Sequence, residues 1–337
     1  MSISPEAERQ YWAASRGIGL ADVSDGGRLL MKGSDSLDLL HRLTTQDLLA
    51  LQPGQGATTV LTSDKGRIVD LVTCYLFPDH LLLLTSPGNS QAVLEWIDKY
   101  TIIEDAETTD VTDSTGLLRF FGPNAGRLAQ RLISEEAEEL LPGRHVAVSL
   151  DGVEATLAND ASAAGGGFYL LLPAGDAHDQ AASALESRAD GLGLTRLGLE
   201  AQETLRIEAG RPAFGHEIDQ RFNPLEAELR SSISFDKGCY IGQEVVARLD
   251  TYKKVSKLLV GLRLPDAPQV ERGAKLHADG KERGFVTSVG YSPALRRPVA
   301  LAYVRTAYAA PGTTLSLGED DNAAEVEVTA LPFTPRG

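Results

Sequence analysis

Two stretches of this chain follow the same order of elements, and that duplication constrains the fold more than any other feature. Residues 27–33 read as a short strand, and Ser34 can cap a helix that carries Leu37, Leu40 and Leu43 at helical spacing. Strands are expected next at 58–62, 67–77 and 81–85, separated by turns at Asp64-Lys65-Gly66 and Pro78-Asp79, before a helix over 90–100. From Gly116 the order recurs as strand 117–121, helix 124–133, strands 146–150, 153–157 and 168–172, and helix 177–189. Aligning Gly33 with Gly122 also brings Leu39 onto Leu128, Arg42 onto Arg131 and Leu43 onto Leu132. The expected fold class is therefore α+β, with two similar units related by an approximate two-fold around a central channel, the kind of place where small ligands bind.

After Lys257 the pattern changes. Short β-rich segments at 258–264, 273–278, 283–290, 299–304, 313–317 and 324–331 are separated by Pro and Gly turns, which predicts a small β-barrel or sandwich. The expected organisation is 1–112 as the first α+β unit, 113–254 as the second unit with the cysteine motif described below, and 255–337 as a C-terminal β-barrel. A chain of 337 residues is long for one core, and its 42% hydrophobic content is enough to fold without staples.

Composition narrows the partners. A net charge of −15 disfavours broad contact with nucleic acid. Arg248, Lys253, Lys254 and Lys257 nevertheless form a basic island against the single acid Asp250, either a solvated surface or a docking strip for an anionic ligand. Cys74 and Cys239 form no C-x-x-C pair, so neither a disulfide framework nor a zinc ribbon is expected, and a reducing compartment follows. The first residues lack an apolar signal core and runs such as 81–84 are too short to cross a bilayer, so a cytoplasmic protein is expected. The six histidines are dispersed without metal-ligand spacing, and no G-x-G-x-x-G turn from strand to helix is present, since Gly165-Gly166-Gly167 lacks that context.

The densest local signal is Lys237-Gly238-Cys239-Tyr240-Ile241-Gly242-Gln243-Glu244-Val245-Val246-Ala247-Arg248. Lys237 and Arg248 can lower a thiol's pKa, Gly238 and Gly242 allow tight turns or close approach, and Gln243 and Glu244 supply directional polar groups. The competing reading makes Cys239 an inert packed hydrophobe.

This run resembles the signature of the YgfZ-type folate-binding proteins, relatives of the glycine-cleavage T-protein that are implicated in iron–sulfur cluster assembly or repair. The stretch Leu199-Glu200-Ala201-Gln202-Glu203-Thr204-Leu205-Arg206-Ile207-Glu208-Ala209-Gly210-Arg211-Pro212, with Gly215-His216-Glu217-Ile218-Asp219 and Pro224-Leu225-Glu226-Ala227, resembles the wider T-protein superfamily. The resemblance implies tetrahydrofolate or a one-carbon derivative in the central opening, with Cys239 at its rim and iron–sulfur proteins or their assembly factors as partners. A polyglutamylated folate tail would suit the basic island. Cys239 and Asp70 are the candidates for chemistry. Arg206, Glu208, Lys237, Gly238, Tyr240, Gly242, Gln243, Glu244, Arg248, Lys253 and Lys254 are the candidate folate contacts. For Arg206 and Glu208, on a helix expected over 198–209, a structural ion pair is the alternative. Glu226 is read as fixing the loop that follows it through backbone donors.

Asp70 follows Asp64-Lys65-Gly66-Arg67-Ile68-Val69, which resembles the T-protein stretch carrying an essential aspartate. An acid among Val69, Leu71 and Val72 must be paired or protonated, and a raised pKa would suit a general acid or base; an edge-strand acid facing water is the alternative. Three departures stand out: Leu71 takes the second place of the family's doubled aspartate, Tyr169 stands where aminomethyl-transferring relatives place a glutamate on the pterin's donor edge, and Gln202 replaces an arginine. The leading reading is thus a tetrahydrofolate-binding accessory protein for iron–sulfur cluster assembly or repair. Its rivals are an aminomethyltransferase and a noncatalytic module without folate.

Overall fold

The computed structural model describes residues 2–133, 140–160, 167–265, 270–318 and 324–334; Gly165 and Gly166 lie outside them. The chain runs α1 (Pro5–Arg16), β1 (Ile18–Asp22), β2 (Gly27–Lys32), α2 (Ser36–Leu43), β3 (Gln55–Thr62), β4 (Ile68–Leu76), β5 (Leu81–Thr85), α3 (Ser90–Tyr100) and β6 (Glu107–Asp110). It continues with β7 (Thr115–Phe121), α4 (Ala125–Leu132), β8 (His145–Leu150), β9 (Val153–Asn159), β10 (Phe168–Pro173), α5 (Asp176–Arg188), β11 (Leu194–Arg196), α6 (Leu199–Glu208) and α7 (Gln243–Thr251). The last part is all strand: β12 (Lys257–Arg263), β13 (Lys275–Ala278), β14 (Lys281–Ser292), β15 (Arg297–Arg305), β16 (Thr314–Leu317) and β17 (Ala324–Thr329).

The duplication is real at the level of single hydrogen bonds. One sheet has the order β3-β4-β5-β2-β6, and the other repeats it as β8-β9-β10-β7-β1, with β11 added at the edge. Gly33 and Gly122 end β2 and β7 with φ of +119° and +120°, and a Cβ there would lie 2.1 Å from the Asp105 carbonyl oxygen or 2.5 Å from that of Gly17. Only glycine fits such a corner. Two residues on, the Asp35 N–H donates to the Asp105 carbonyl at 3.0 Å and the Asn124 N–H donates to the Gly17 carbonyl at 3.2 Å.

Two local expectations change. Asp35, not Ser34, precedes the first turn of α2 as its cap; the Ser34 N–H and hydroxyl both donate to the Asp105 carboxylate at 2.9 Å, tying the corner to the segment after α3. Residues 18–22, grouped on sequence with the first unit, pair with β7 and β11 in the second sheet, because Ile18, Leu20 and Ala21 are buried there.

Each sheet covers one core beneath its helices: Leu29, Leu39, Leu40, Leu83 and Ile97 in the first, Leu118, Phe120, Leu128, Leu157 and Leu185 in the second. The six C-terminal strands close into a barrel in the order β12-β15-β14-β13-β16-β17 around Leu262, Val286, Ala302 and Val328. A further cluster joins the barrel to the first sheet. There Phe222 stacks on Tyr303 with ring centroids 4.1 Å apart, and the Lys257 ammonium lies 4.4 Å from the Phe222 ring.

Candidate functional site

Where the two sheets, the end of α6 and the barrel converge, they enclose a cavity of about 890 Å³. Its walls come from Thr58, Leu71 and Thr73 on β3 and β4, the segment from Leu84 to Pro87, Leu117 and Arg119 on β7, Tyr169 on β10, and Ala227, Glu228, Leu229, Ser231 and Ser232. Leu258, Leu259 and Val260 of β12 close it from the barrel side. A smaller chamber of about 400 Å³ adjoins it, and Val23, Arg119, Tyr169, Gln202 and Arg211 line both. The larger volume is that of a pocket for a drug-sized ligand.

The shared wall concentrates charge. The Arg119 guanidinium sits 4.6 Å from the Phe121 ring and 5.7 Å from the Tyr169 ring, with Nη2 3.5 Å from Asp160 Oδ2. Arg211 approaches the same oxygen at 3.8 Å. Burial, and then the Asp160 charge, push the Tyr169 phenol above its ordinary pKa, so it stays a neutral donor. Two buried atoms, Arg119 Nε and the Thr85 hydroxyl, have no hydrogen-bond partner among the described residues. Buried polar groups are normally satisfied, so the orphan Arg119 donor on the cavity wall marks a place for a polar ligand, whereas the Thr85 hydroxyl lies on the helix side of its sheet, against Gly27 and Ser90.

Most of the candidate residues read from the sequence are elsewhere. Residues 237–248 line neither chamber; they pack on α2 and the β3–β4 turn. Lys237 Nζ donates to the carbonyls of His41, Thr44 and Gln46 at 2.6, 2.8 and 2.9 Å. All three of its protons are used to clamp the loop after α2, and burial pushes the ammonium down to about 8. Gly242, with φ of +83°, lies so close to the turn that a Cβ would be 2.4 Å from the Ser63 carbonyl oxygen. Tyr240 is buried with its ring 5.2 Å from Lys237 Nζ, and burial raises its phenol to about 12. Gly238 and Cys239 are exposed, and Gln243, Glu244 and Arg248 belong to α7. The expected position of Cys239 at the cavity rim is therefore not what the structure has.

Asp70 is fully buried and turned away from the chamber that its neighbour Leu71 lines. It accepts from the Leu71 N–H at 2.8 Å, the Ser86 N–H at 3.0 Å and the Ser86 hydroxyl at 2.6 Å. Burial raises its pKa while these donors pull the other way. Arg206 does line the smaller chamber, but its guanidinium already donates to Glu203, Glu217, the Arg211 carbonyl and the Ser288 hydroxyl. Glu208 accepts from the Tyr11 hydroxyl at 2.6 Å and from Ser292, joining α1, α6 and the barrel. Both side chains are thus held by contacts within the fold, Arg206 in ion pairs and Glu208 by hydroxyl donors. Glu226 accepts the Asn223 N–H at 3.1 Å, so its backbone donor comes from the residues before it and not from the loop that follows. Lys253 pairs with Asp250 at 3.2 Å, and Lys254 is exposed beside Tyr252.

Tyr169 and Gln202, singled out as departures, both face the cavity, whereas Arg119, Asp160, Arg211 and Glu228 were not singled out. Arg119 carried a usable signal, a cation inside the apolar run Leu117-Leu118-Arg119-Phe120-Phe121.

Two sheets related by an internal repeat, closed by a barrel over a shared cavity, define the class. Residues 2–237 match the GCVT N-terminal domain and 257–334 match the glycine cleavage T-protein C-terminal barrel domain. The chain belongs to the glycine cleavage T-protein family. It is 34% identical over 320 residues to a putative chloroplastic transferase of Arabidopsis thaliana, covering 95% of this chain and 72% of that one. It is 30% identical over 328 residues to the aminomethyltransferase of Halothermothrix orenii, covering 96% and 90%. The crystal structure of glycine cleavage system aminomethyltransferase T from Bartonella henselae shares the fold, with a TM-score of 0.84 at 23% identity over 97% of this chain and 89% of that one. Among the described residues no helix is long and apolar enough to cross a membrane.

Proposed function

We propose that this chain is a folate-dependent transferase of the aminomethyltransferase type, with tetrahydrofolate or a one-carbon derivative in the larger chamber. The observation that carries the reading is the cavity wall in which the Asp160 carboxylate and the unpartnered Arg119 Nε border one ligand-sized space. A pteridine needs both an acceptor for its N–H edge and donors for its oxygen and ring nitrogens, and this set supplies both. Folate, when bound, supplies the nitrogens that take up a one-carbon unit. The chain's own contribution is to orient that ring, exclude water around it through Leu71, Leu84 and Leu259, and hold Arg119 and Asp160 in fixed positions. Aminomethyltransferase relatives at about 30% identity over nearly the whole chain support the transfer class over a purely structural role.

Isothermal titration calorimetry with tetrahydrofolate, followed by ammonia release from an aminomethylated lipoyl carrier, tests the reading. Saturable binding and turnover are expected. No heat at high ligand concentration would leave a noncatalytic module as the better description.

A second reading, an accessory role toward iron–sulfur proteins, draws on one observation: the Cys239 thiol is exposed outside the cavity, where another protein can reach it. No group of three or more His, Cys, Asp or Glu suited to a metal ion occurs among the described residues, so a cluster would be cargo held with ligands from a partner. Full restoration of cluster-dependent enzyme activity by Cys239→Ala in a deletion strain would reject a thiol role.

A further inference from the structure

Glu228 is an unusual residue to find in the wall of the larger chamber. Its φ is +57°, a left-handed conformation that costs a non-glycine side chain energy and that persists where the surroundings enforce it. The enforcement is visible. On either side Ala227 and Leu229 are buried in the cluster that joins the first sheet to the barrel, and the Ala227, Glu228 and Leu229 N–H groups donate to the carbonyls of Asn223, Leu225 and Pro224. Ala227 and Leu229 belong to the same apolar cluster as Leu71, and all three line the chamber with Glu228.

The carboxylate itself is unengaged: among the described residues it accepts no hydrogen bond and enters no ion pair within 4 Å. Arg230, two residues on, makes its close contacts with Asp250 instead, at 2.6 Å. The other ionisable side chains facing the chamber are Asp25, Arg119, Asp160, Tyr169 and Arg211, and of these Asp160 lies within ion-pair distance of both arginines. Glu228 is an exposed residue, yet partial desolvation holds its carboxyl's pKa above the ordinary value, with Arg230 opposing. A strained, unpaired carboxylate held against a ligand-sized space is a group waiting for a donor.

We propose that Glu228 is a ligand-contacting residue of this chamber, the carboxylate that receives an N–H group of the bound one-carbon folate and thereby selects reduced, amino-bearing folates over ligands without that donor. The assignment rests on the folate reading above. It gives the chamber two acceptors in different states: Asp160, fixed between arginines, and Glu228, free to engage.

The test is calorimetric titration of tetrahydrofolate into the wild type, Glu228→Gln and Glu228→Gly from pH 4 to 8, with thermal melts of each. Wild-type affinity should rise with pH as the carboxyl ionises. Both variants should bind about tenfold or more weakly near neutrality, the worth of one charge-assisted hydrogen bond, and should lose that pH dependence. Glu228→Gly should melt higher than the wild type, because glycine accepts the positive φ and the desolvated charge is gone. Wild-type affinity and an unchanged pH profile in Glu228→Gln would overturn the assignment while leaving the folate reading standing. Absence of wild-type binding would overturn both. If Glu228→Gln fails to fold, Glu228→Gly decides alone: undiminished affinity in it refutes the contact.

Discussion

Asp70 and Ser86 are joined twice, through the serine hydroxyl at 2.6 Å and its backbone N–H at 3.0 Å, and Ser86 in turn lines the larger chamber. The acid thus acts on the cavity by shaping its wall. Removing it in Asp70→Ala strands the Leu71 and Ser86 donors in a site with no access to water. The expected loss in a urea melt is about 2–4 kcal/mol, given the cost of unsatisfied buried donors. Tetrahydrofolate affinity of the folded fraction should hardly change. Asp70→Asn sets an amide against one of these N–H groups and should be intermediate. Because the folded carboxyl titrates above the unfolded one, the wild type's advantage from this group is fullest below the unfolded pKa and declines as pH rises through the folded pKa. The deficit of Asp70→Asn should shrink accordingly between acid and neutral pH. Normal stability with abolished turnover would instead make Asp70 a catalytic group.

Arg206 links α6 to the 211–217 loop and to β14, donating to Glu217 at 3.0 Å and to the Ser288 hydroxyl at 2.7 Å. Glu217 is fully buried. Arg206→Ala leaves that carboxylate without its counter-charge, a change that costs about 3–5 kcal/mol in comparable buried pairs. Arg206→Lys should recover only part, since one ammonium cannot span contacts that a planar guanidinium reaches together. Chemical denaturation checks both. A variant with wild-type stability and lost ligand binding would return Arg206 to the ligand site.

The two thiols should separate cleanly by reactivity. Cys74 is fully buried on β4, and burial pushes its pKa up to about 12, so almost none is thiolate at neutral pH. Cys239 is exposed. One equivalent of iodoacetamide should therefore be taken up by the folded protein and a second only after unfolding. Cys239→Ser should show no fast phase. Equal rates for both cysteines would contradict the placement of the motif.

The sequence made the repeat with its helices and the barrel strands legible because these are local patterns of apolar spacing and turn residues. Gly33 and Gly122 carried the strongest information, since each marks a corner that admits no side chain. What stayed hidden was direction. Asp70 and Leu71 are adjacent, yet a bulge between Leu61 and Thr62 and the pleat decide which faces the cavity. Arg206 and Arg119 look equally available in the sequence, and only the packed loops show one saturated and the other with an orphan nitrogen. The cysteine motif was legible as special but not as structural: its glycine and lysine serve to dock residues 237–248 on the first unit.

The basic island begins beside the cavity rather than in it. Ser231 lines the larger chamber, its neighbour Arg230 pairs with Asp250 at 2.6 Å, and Asp250 also holds Lys253 at 3.2 Å. Asp250 is itself drawn down to about 2, first by Arg230 and then by Lys253, so it remains charged across the physiological range and offsets part of the local positive field. Lys254 is exposed, 5.5 Å from the Tyr252 ring, and does not share in that pairing. If a chain of glutamyl carboxylates leaves the chamber past Ser231, these cations are the charges that would receive it. Each exposed contact is worth about 1 kcal/mol or less, so replacing both Lys253 and Lys254 with Ala should weaken polyglutamylated tetrahydrofolate by roughly three- to thirtyfold. The monoglutamate should be much less affected. Raising ionic strength should close the gap, because screening acts on solvent-exposed pairs first. Competitive calorimetry with the two ligands at low and high salt measures this directly, and equal losses for both would remove the island from the folate path.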